Sequence, residues 1–359
     1  MRVISNFFSD ELAVDLGTVN TVIFAPGVGV VLNEPSAVAI NKYSGEVLAV
    51  GTEAYKLLGR EPHDTEVYRP VRNGTIDNFE AAEKMLAAFI RRAHGNRNKR
   101  SRLVVGVPGA STGLEQRSVR DAAHDAKAAR VDLVDEGLAA ALGAGLSFET
   151  EQAHLIVDVG GGTTNVAVVA SGAVVASTSL LAAGNKMDEA IQSYIRSKHE
   201  MQIGVRTAEE VKKELGTSVS SSNAGTNVTR KLEVIGKGVI DGMAKVVMLS
   251  SEEVREALEP VITEMIAAVR RIIEEAQPDV TADIYRSGIL LTGGGALLTG
   301  LAERLQSELR LHVTVADEPL LAVAMGAGRL VADAEWLQRV ALRQDVPVWQ
   351  ASEELVVNW

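Results

Sequence analysis

The sequence predicts an α/β protein made of two related halves. Apolar runs with the length of buried strands alternate with runs of helical spacing through the 359 residues, and such alternation is typical of α/β folds. Two stretches also resemble each other: residues 15–21 read DLGTVNT, and residues 158–165 read DVGGGTTN. A chain of this length, with 46% hydrophobic residues, can bury a sizeable core and suggests about two domains.

In the first half, strands are predicted to come before helices. Residues 11–50 form successive strands, interrupted by turn residues at 26–27 and 33–35. Apolar residues at helical spacing indicate a helix over 79–95, with Asp77 or Asn78 as its N-cap. The elements that follow are a strand at 103–107, a polar helix near 113–129, a strand at 131–134 and a helix of small residues at 137–145.

The second half is predicted to open with a hairpin over residues 154–178. The later elements are helices near 185–200 and 207–215, a surface loop at 217–229, an amphipathic helix at 251–276, a strand at 287–291, a helix from 296 to about 309 and a helix near 319–333. A tail at 334–359 carries all three tryptophans of the chain, Trp336, Trp349 and Trp359.

Composition argues against several classes of protein. The formal net charge of −11 argues against general nucleic-acid binding, which needs a positive field. The chain has no cysteine, which rules out disulfides and thiol catalysis and fits the cytoplasm. Its six histidines are not at zinc-ligand spacing. No apolar run reaches the roughly 18 residues that span a bilayer, and the N-terminus does not resemble a secretion signal.

The two similar stretches predict a pair of phosphate-binding hairpins. Each begins with an Asp that closes an apolar run, turns through glycine and leaves through Thr or Asn into a second apolar run. Glycine lets backbone N–H groups approach a phosphate closely. The alternative for either loop is an ordinary hairpin, but the matched pair favours one polyphosphate held from both sides. The candidate contacts are Gly17, Thr18, Val19, Asn20, Thr21, Gly160, Gly161, Gly162, Thr163 and Thr164.

Asp15 and Asp158 stand at the bases of the two hairpins. Both are anionic, so direct contact with phosphate would be unfavourable. A hydrated Mg²⁺ commonly bridges carboxylates and phosphates while it keeps several waters. We therefore interpret these two residues as holders of Mg²⁺ through water.

Three further features are candidates for nucleotide chemistry, each with a structural alternative. The turn at 292–297 reads TGGGAL and could hold a base or ribose at a helix N-terminus, or be a plain tight connection. Glu209 and Lys212 share a helix face and could clamp a ribose or adenine, or form a solvated pair. Glu136 follows a strand and could orient an attacking water, or simply favour a helix N-terminus.

The order of these motifs resembles the actin superfamily, and within it the MreB family of bacterial cell-shape actins. The similarity runs from about residue 10 to 333. The stretches that carry it are 15–21, 31–40 (VLNEPSAVAI), 69–76 (RPVRNGTI), 83–86 (EKML), 158–164, 188–191 (DEAI), 207–209 (TAE) and 291–298 (LTGGGALL).

The resemblance implies an actin-like ATPase fold, with two lobes of ribonuclease-H-like core and four subdomains around a nucleotide cleft. Lobe I would cover 10–148, with 318–333 returning to it, and lobe II 149–317. It further implies ATP and Mg²⁺ in the cleft, and slow hydrolysis coupled to assembly into paired filaments that guide cell-wall synthesis. Glu136 would position water, Glu209 and Lys212 would contact adenosine, and the base would lie on Gly293, Gly294, Gly295, Ala296 and Leu297.

The N-terminus, residues 1–9, is predicted to be an amphipathic membrane anchor. Val3, Ile4, Phe7 and Phe8 fall on one face of a helix, and basic residues between 91 and 102 could meet anionic lipid. The alternatives are a disordered terminus and a solvated basic loop. The expected location is therefore the inner face of the cell membrane, with self-association and, by resemblance, cell-wall elongation proteins such as RodZ and MreC as partners.

Three departures from the family suggest a divergent paralogue. Asp135-Glu136-Gly137 stands where the family usually has Glu-Glu-Pro, residues 182–188 are poorer in glycine, and 334–359 extend past the usual end. A glycine after Glu136 could slow hydrolysis. The alternative function is a small-molecule kinase of the same superfamily, although no sugar-binding cluster is evident.

Overall fold

The structure is a computed structural model that describes residues 11–95, 100–147, 149–219 and 229–342. The predicted anchor residues Val3, Ile4, Phe7 and Phe8 lie outside these ranges, as do most of the predicted loop at 217–229 and the tail beyond 342. None of the described helices is long and apolar enough to span a bilayer.

Strands and helices alternate through the described chain. The strands are β1 Glu11–Leu16, β2 Asn20–Ala25, β3 Gly29–Pro35, β4 Val38–Asn41, β5 Val47–Val50, β6 Thr65–Tyr68, β7 Val71–Arg72, β8 Thr75–Ile76, β9 Arg102–Val107, β10 Arg130–Asp135, β11 His154–Val159, β12 Thr164–Ala170, β13 Ala173–Leu180, β14 Met201–Gln202, β15 Lys231–Gly238, β16 Ala244–Ser250, β17 Ile289–Thr292 and β18 Val313–Val315. The helices are α1 Thr52–Leu57, α2 Phe79–Ala93, α3 Gly113–Asp125, α4 Glu136–Gly143, α5 Gly184–His199, α6 Val205–Leu215, α7 Ser251–Glu275, α8 Pro278–Ser287, α9 Leu301–Leu309, α10 Ala322–Ala332 and α11 Ala334–Val340.

Two five-stranded sheets with the same topology form the bases of two lobes. The first has the order β3-β2-β1-β9-β10, and the second has the order β13-β12-β11-β17-β18. In each sheet the central strand pairs antiparallel with the next strand in the chain and parallel with a later one, β9 or β17. The repeated loops at 15–21 and 158–165 are therefore equivalent turns of two equivalent sheets.

Each lobe also carries a small three-stranded sheet. In the first lobe the order is β5-β4-β6, and in the second it is β14-β15-β16. Helix α1 packs on β4 and β5, and helix α6 packs on β15. The molecule therefore has four structural units, a large and a small one in each lobe.

Helices α4 and α10 pack between the two large sheets. Their core includes Ala13 from the first sheet and Ile156 from the second. The helices approach so closely that a Cβ on Gly143 would lie 1.8 Å from Ala322 O, and one on Gly326 would lie 1.8 Å from Ala139 O. Only glycine fits at these two crossing points.

Several predicted elements are confirmed with shifted ends, and others are corrected. Asn78 is the N-cap of α2 and accepts from Ala81 N–H. The single helix expected from residue 296 is a 3₁₀ turn, Gly294–Leu297, followed by α9, because Gly300 has a φ of 78°. Strand β17 begins at Ile289 because α8 extends to Ser287. The hairpin β15–β16 was not predicted from the sequence.

Candidate functional site

A large cavity lies between the two lobes, with a volume of about 540 Å³. This is within the range of small-molecule sites, roughly 300–1,000 Å³. Both glycine hairpins, the turn after β17 and the N-terminal ends of α4 and α5 line it. The hairpins, the glycine turn and the acidic residues, which are far apart in the sequence, therefore meet in one cleft.

The first hairpin loop joins β1 to β2, with Leu16 opposite Thr21. Ser36 Oγ donates to the Gly17 carbonyl at 2.6 Å, and Gly74 N–H donates to Thr18 Oγ1 at 3.0 Å. These bonds hold the loop from both sides.

The second hairpin loop joins β11 to β12 and lies against the first. A Cβ on Gly161 would be 2.1 Å from Val19 Cγ2, and one on Gly162 would be 2.3 Å from Thr18 Oγ1. The sequence predicts that these glycines allow a phosphate to approach the backbone closely. In the structure they also allow the two loops to touch across the cleft, which is a packing requirement that no single loop reveals.

Most of the predicted nucleotide contacts lie on the cavity surface, but three do not. Thr21 and Thr164 are fully buried behind their loops, where Thr21 Oγ1 pairs with Ser36 Oγ and Thr164 Oγ1 donates to the Ala182 carbonyl. Ala296 is buried inside the 3₁₀ turn. These three side chains support the loops from behind. The predicted residues that do line the cavity are Asp15, Gly17, Thr18, Val19, Asn20, Glu136, Asp158, Gly160, Gly161, Gly162, Thr163, Glu209, Lys212, Gly293, Gly294, Gly295 and Leu297.

Three carboxyl groups meet at the floor of the cavity. Burial, and then the charge of Asp158, raises the pKa of Asp15 to about 7. Burial raises the pKa of Asp158 to about 6, although hydrogen bonds from Thr292 and Asn165 act to lower it. Burial, followed by repulsion from the other carboxylates, raises the pKa of Glu136 well above its ordinary value. Such a cluster of like charges calls for a cation to compensate it.

The donor set fits a hydrated magnesium ion. Asp15 and Asp158 supply the carboxylate oxygens that Mg²⁺ prefers. Among the described residues, no group of three or more His, Asp or Glu side chains is arranged to hold a metal by itself. The remaining ligands would therefore be waters and phosphate oxygens, which is how Mg²⁺ is usually bound beside nucleotides.

The amide of Asn165 also belongs to the site, although no sequence motif indicated a role for it. Asn165 lies opposite Asp158 in the β11–β12 pair, and its Nδ2 donates to Glu136 Oε2 at 2.7 Å. The side chain is buried, and its Oδ1 has no hydrogen-bond partner among the described residues. The register across the hairpin would have pointed to it, since it places this residue directly beside Asp158.

Glu209 and Lys212 both line the cavity, yet they do not pair with each other. Lys212 Nζ lies 2.8 Å from Asp188 Oδ1 and donates to the Gly184 carbonyl at 2.9 Å. Glu209 Oε1 lies 2.7 Å from Lys213 Nζ. Both side chains are 17% exposed. The alternative of a solvated Glu–Lys pair is therefore wrong.

The glycine turn after β17 packs tightly on the end of β11. Gly293 has a φ of 80°, and a Cβ there would lie 2.4 Å from Val159 O. Next to the turn, Leu297 and Leu320 are 60% and 48% exposed and line the cavity. Bare backbone flanked by two leucines gives this end of the cleft an apolar surface for a flat ring.

Two cavity residues near the loops were also missed. Arg69 Nη2 is 3.4 Å from the Thr18 carbonyl and from Asn185 Oδ1, so it reaches from the first lobe to the start of α5. Asp188 is held by Lys212. Arg69 and Asp188 lie in stretches that resemble the MreB family, at 69–76 and 188–191. Neither residue forms a local motif that would indicate its own place in the cavity.

Two lobes of matching topology, with twin hairpin loops facing each other across one cleft, define this protein as a member of the actin-like ATPase fold class. The family model of the MreB/Mbl protein matches residues 9–339. The chain therefore belongs to the MreB/Mbl family, to which the sequence resemblance had pointed.

Individual relatives agree with this assignment. The cell shape-determining protein MreB of Escherichia coli K12 is 42% identical over 328 residues, 90% of this chain and 93% of the relative. Mbl of Bacillus subtilis 168 is 36% identical over 333 residues, 92% of this chain and 98% of the relative.

Solved structures show the same fold. MreB5 of Spiroplasma citri bound to ADP has a TM-score of 0.83 at 33% identity, covering 92% of this chain and 97% of that one. The same protein bound to AMPPNP has a TM-score of 0.83 at 32% identity, covering 90% and 96%. A MamK double helical filament has a TM-score of 0.75 at 23% identity, covering 90% and 99%, which is a likeness of fold alone.

Proposed function

We propose that this protein binds ATP with Mg²⁺ in the cleft and hydrolyses it slowly while it assembles into filaments that determine cell shape. The observation that carries the proposal is the convergence of two glycine hairpins and three carboxyl groups on one cavity. The nucleotide-bound structures of the Spiroplasma citri relative support it. The names of the relatives support the role in cell shape.

Each part of the cleft has a chemical task in this proposal. Backbone N–H groups of the loops at 17–20 and 161–163 bind the phosphates. Asp15 and Asp158 would hold a hydrated Mg²⁺, which would supply positive charge against the phosphates. Glu209 accepts from the ribose hydroxyls, and the base lies on the turn at 293–295 beside Leu297. Lys212 acts by holding Asp188 and the start of α5 in place.

Glu136 positions the attacking water. The water oxygen attacks the γ-phosphorus, its proton passes to the Glu136 carboxylate, and the bond from phosphorus to the β–γ bridging oxygen breaks to release ADP and phosphate. Asn165 Nδ2 holds one carboxylate oxygen of Glu136, which leaves the other free to face the water.

Substitution of Glu136 tests this chemistry. Glu136→Ala is expected to keep ATP affinity, measured by calorimetry, and to lower single-turnover phosphate release by roughly 100-fold or more, the usual contribution of a general base. Unchanged turnover would remove Glu136 from the mechanism.

Sedimentation with ATP and Mg²⁺ tests assembly into filaments. ATP turnover that requires an added hydroxyl substrate would instead indicate a small-molecule kinase.

Membrane attachment is the remaining part of the proposal, and it depends on the N-terminal residues. Four apolar side chains give a single chain only weak binding, whereas a filament that displays many copies binds by avidity. Deletion of residues 2–8 is expected to reduce pelleting with anionic liposomes in the presence of ATP. Full retention on liposomes would discredit the anchor.

A further inference from the structure

Two helices from opposite lobes face each other at the mouth of the cleft. Helix α1 belongs to the small unit of the first lobe, and α6 to the small unit of the second. Tyr55 Oη, from α1, donates to Glu209 Oε2, on α6, at 2.6 Å. Arg206 Nη1, also on α6, donates to the Lys56 carbonyl at 3.3 Å, and its guanidinium carbon lies 5.8 Å from the centre of the Tyr55 ring.

The bond between Tyr55 and Glu209 joins a neutral donor to a charged acceptor. Burial, followed by the hydrogen bond to Glu209, raises the pKa of Tyr55, so its hydroxyl keeps its proton at neutral pH. Burial favours the neutral form of Glu209, but the hydrogen bonds from Lys213 and Tyr55 outweigh it and lower the pKa of this carboxyl. Hydrogen bonds to an ionised acceptor are stronger than those between neutral groups.

Tyr55 reaches the nucleotide cavity only through Glu209. Glu209 lines the cavity, whereas Tyr55 does not. A carboxylate offers about four lone-pair positions. Glu209 can therefore keep its bonds to Tyr55 and Lys213 and still accept from a ligand hydroxyl. The bond to Tyr55 fixes the direction of the carboxylate and ties the two lobes together at the same point.

We propose that Tyr55 is a positioning residue that fastens the mouth of the cleft over a bound nucleotide and thereby limits the rate of nucleotide release. This inference rests on the proposed nucleotide function of the same cleft. A ligand held between the lobes leaves when the mouth opens, and separation of α1 from α6 breaks the Tyr55–Glu209 bond. Arg206 adds a second, weaker bridge between the same two helices.

The chain offers a matched control for removal of the Tyr55 hydroxyl. Tyr68 Oη donates to Glu66 Oε2 at 2.7 Å, which is the same chemical pair, but both residues belong to strand β6 of the first lobe. Tyr55→Phe and Tyr68→Phe therefore each delete one tyrosine–carboxylate bond. Only the first deletes a bond that crosses the cleft.

The experiment measures dissociation of radiolabelled ADP with Mg²⁺, chased by excess unlabelled ADP, below the concentration for assembly. The ADP carries no group on its ribose, because such a label would disturb the proposed contact with Glu209. Tyr55→Phe is expected to speed dissociation about tenfold, the effect of one hydrogen bond to a charged group. Tyr68→Phe is expected to stay within about twofold of the parent protein.

Further readouts separate a positioning role from a general loss of stability. Tyr55→Phe is expected to keep a cooperative unfolding transition in the nucleotide-free protein, with the same dependence on denaturant concentration as Tyr68→Phe, because the fold itself is unchanged. Arg206→Ala is expected to speed ADP release less than Tyr55→Phe does, and it keeps the inference testable if Tyr55→Phe folds poorly.

Equal ADP dissociation rates in the parent, Tyr55→Phe and Arg206→Ala proteins would overturn the inference while leaving the nucleotide function intact. If the parent protein retained no labelled ADP at all, the proposed function itself would fail, and the inference with it. A faster release in Tyr68→Phe equal to that in Tyr55→Phe would also overturn it, because the effect would then not depend on the cleft.

Discussion

At the residue scale, the polar floor of the cleft depends on one amide between two carboxyl groups. Asn165 donates to Glu136, and its hydrogen bond to Asp158 opposes the rise that burial causes in the pKa of that group. A neutral amide is well suited to this place, because another carboxylate would add to the repulsion that already raises the pKa of Asp15 and Glu136.

Replacement of this amide should affect catalysis more than binding. Asn165→Ala removes the bond that holds Glu136 Oε2, so we expect single-turnover phosphate release to fall about tenfold. ATP affinity with Mg²⁺ should change less than about threefold, since in the proposed function the phosphates are bound by backbone groups of the loops and not by Asn165. Rapid-quench assays at saturating ATP measure the rate, and an unchanged rate would show that Glu136 is oriented without Asn165.

At the element scale, α4 brings Glu136 to the cavity. Asp135 is its N-cap and accepts from Leu138 N–H at 3.1 Å, which places Glu136 in the first turn. An acidic helix start therefore does not exclude the water-orienting role predicted for Glu136, because the first turn of this helix lines the cavity. Gly137 lies inside the helix, and a Cβ there would be 2.5 Å from Ala167 Cβ. This glycine lets α4 approach β12, and so brings Glu136 within reach of Asn165.

A methyl group at this helix position should therefore be costly. Gly137→Ala is expected to lower the free energy of unfolding by about 1–3 kcal/mol, because it overpacks the contact with Ala167. Gly113→Ala is the matched control: Gly113 is also in the first turn of a helix, α3, and a Cβ there meets nothing within 4 Å. The control should be neutral or slightly stabilising. Denaturant unfolding compares the two, and equal free energies would contradict the packing argument.

At the scale of the whole molecule, two lobes meet along α4 and α10 and again across the cleft. The helices cross with backbone in contact at Gly143 and Gly326, whereas the mouth is joined by side chains from α1 and α6. The loops of the two hairpins touch between these regions. A ligand in the cleft therefore contacts both lobes and should stabilise their arrangement.

Nucleotide should consequently raise the thermal stability of the whole protein. A ligand at 100 times its Kd stabilises the folded state by about 2.7 kcal/mol, so ATP with Mg²⁺ is expected to raise Tm by a few degrees. With EDTA the increase should be largely lost, because Asp15 and Asp158 would then face the phosphates without a cation. Calorimetric scans test this, and the proposed nucleotide function would be untenable if neither Tm nor binding heat responded to ATP.

The sequence by itself determined the fold class, the family and half of the residues that line the cleft. Strand and helix periodicity and the paired DLGTVNT and DVGGGTTN stretches are local patterns. Such patterns can be recognised without knowing which distant residues they contact in the fold. This is why the loops, Asp15, Asp158 and Glu136 could be named from the chain alone. The strands β15 and β16 were missed because the apolar side chains on their outer face, such as Ile235 and Val246, are exposed, which blurs the alternation of polar and apolar residues.

Only the tertiary structure decided which distant residues meet. Asn165 faces Glu136 across 29 positions of sequence, and Tyr55 bonds to Glu209 across 154. Separations of this kind leave no local periodicity, because the contact depends on how two sheets and two small units are placed relative to each other. The same reason explains Gly137 and Gly161: their neighbours, Ala167 and Val19, come from other elements, so the need for glycine arises only when those elements pack.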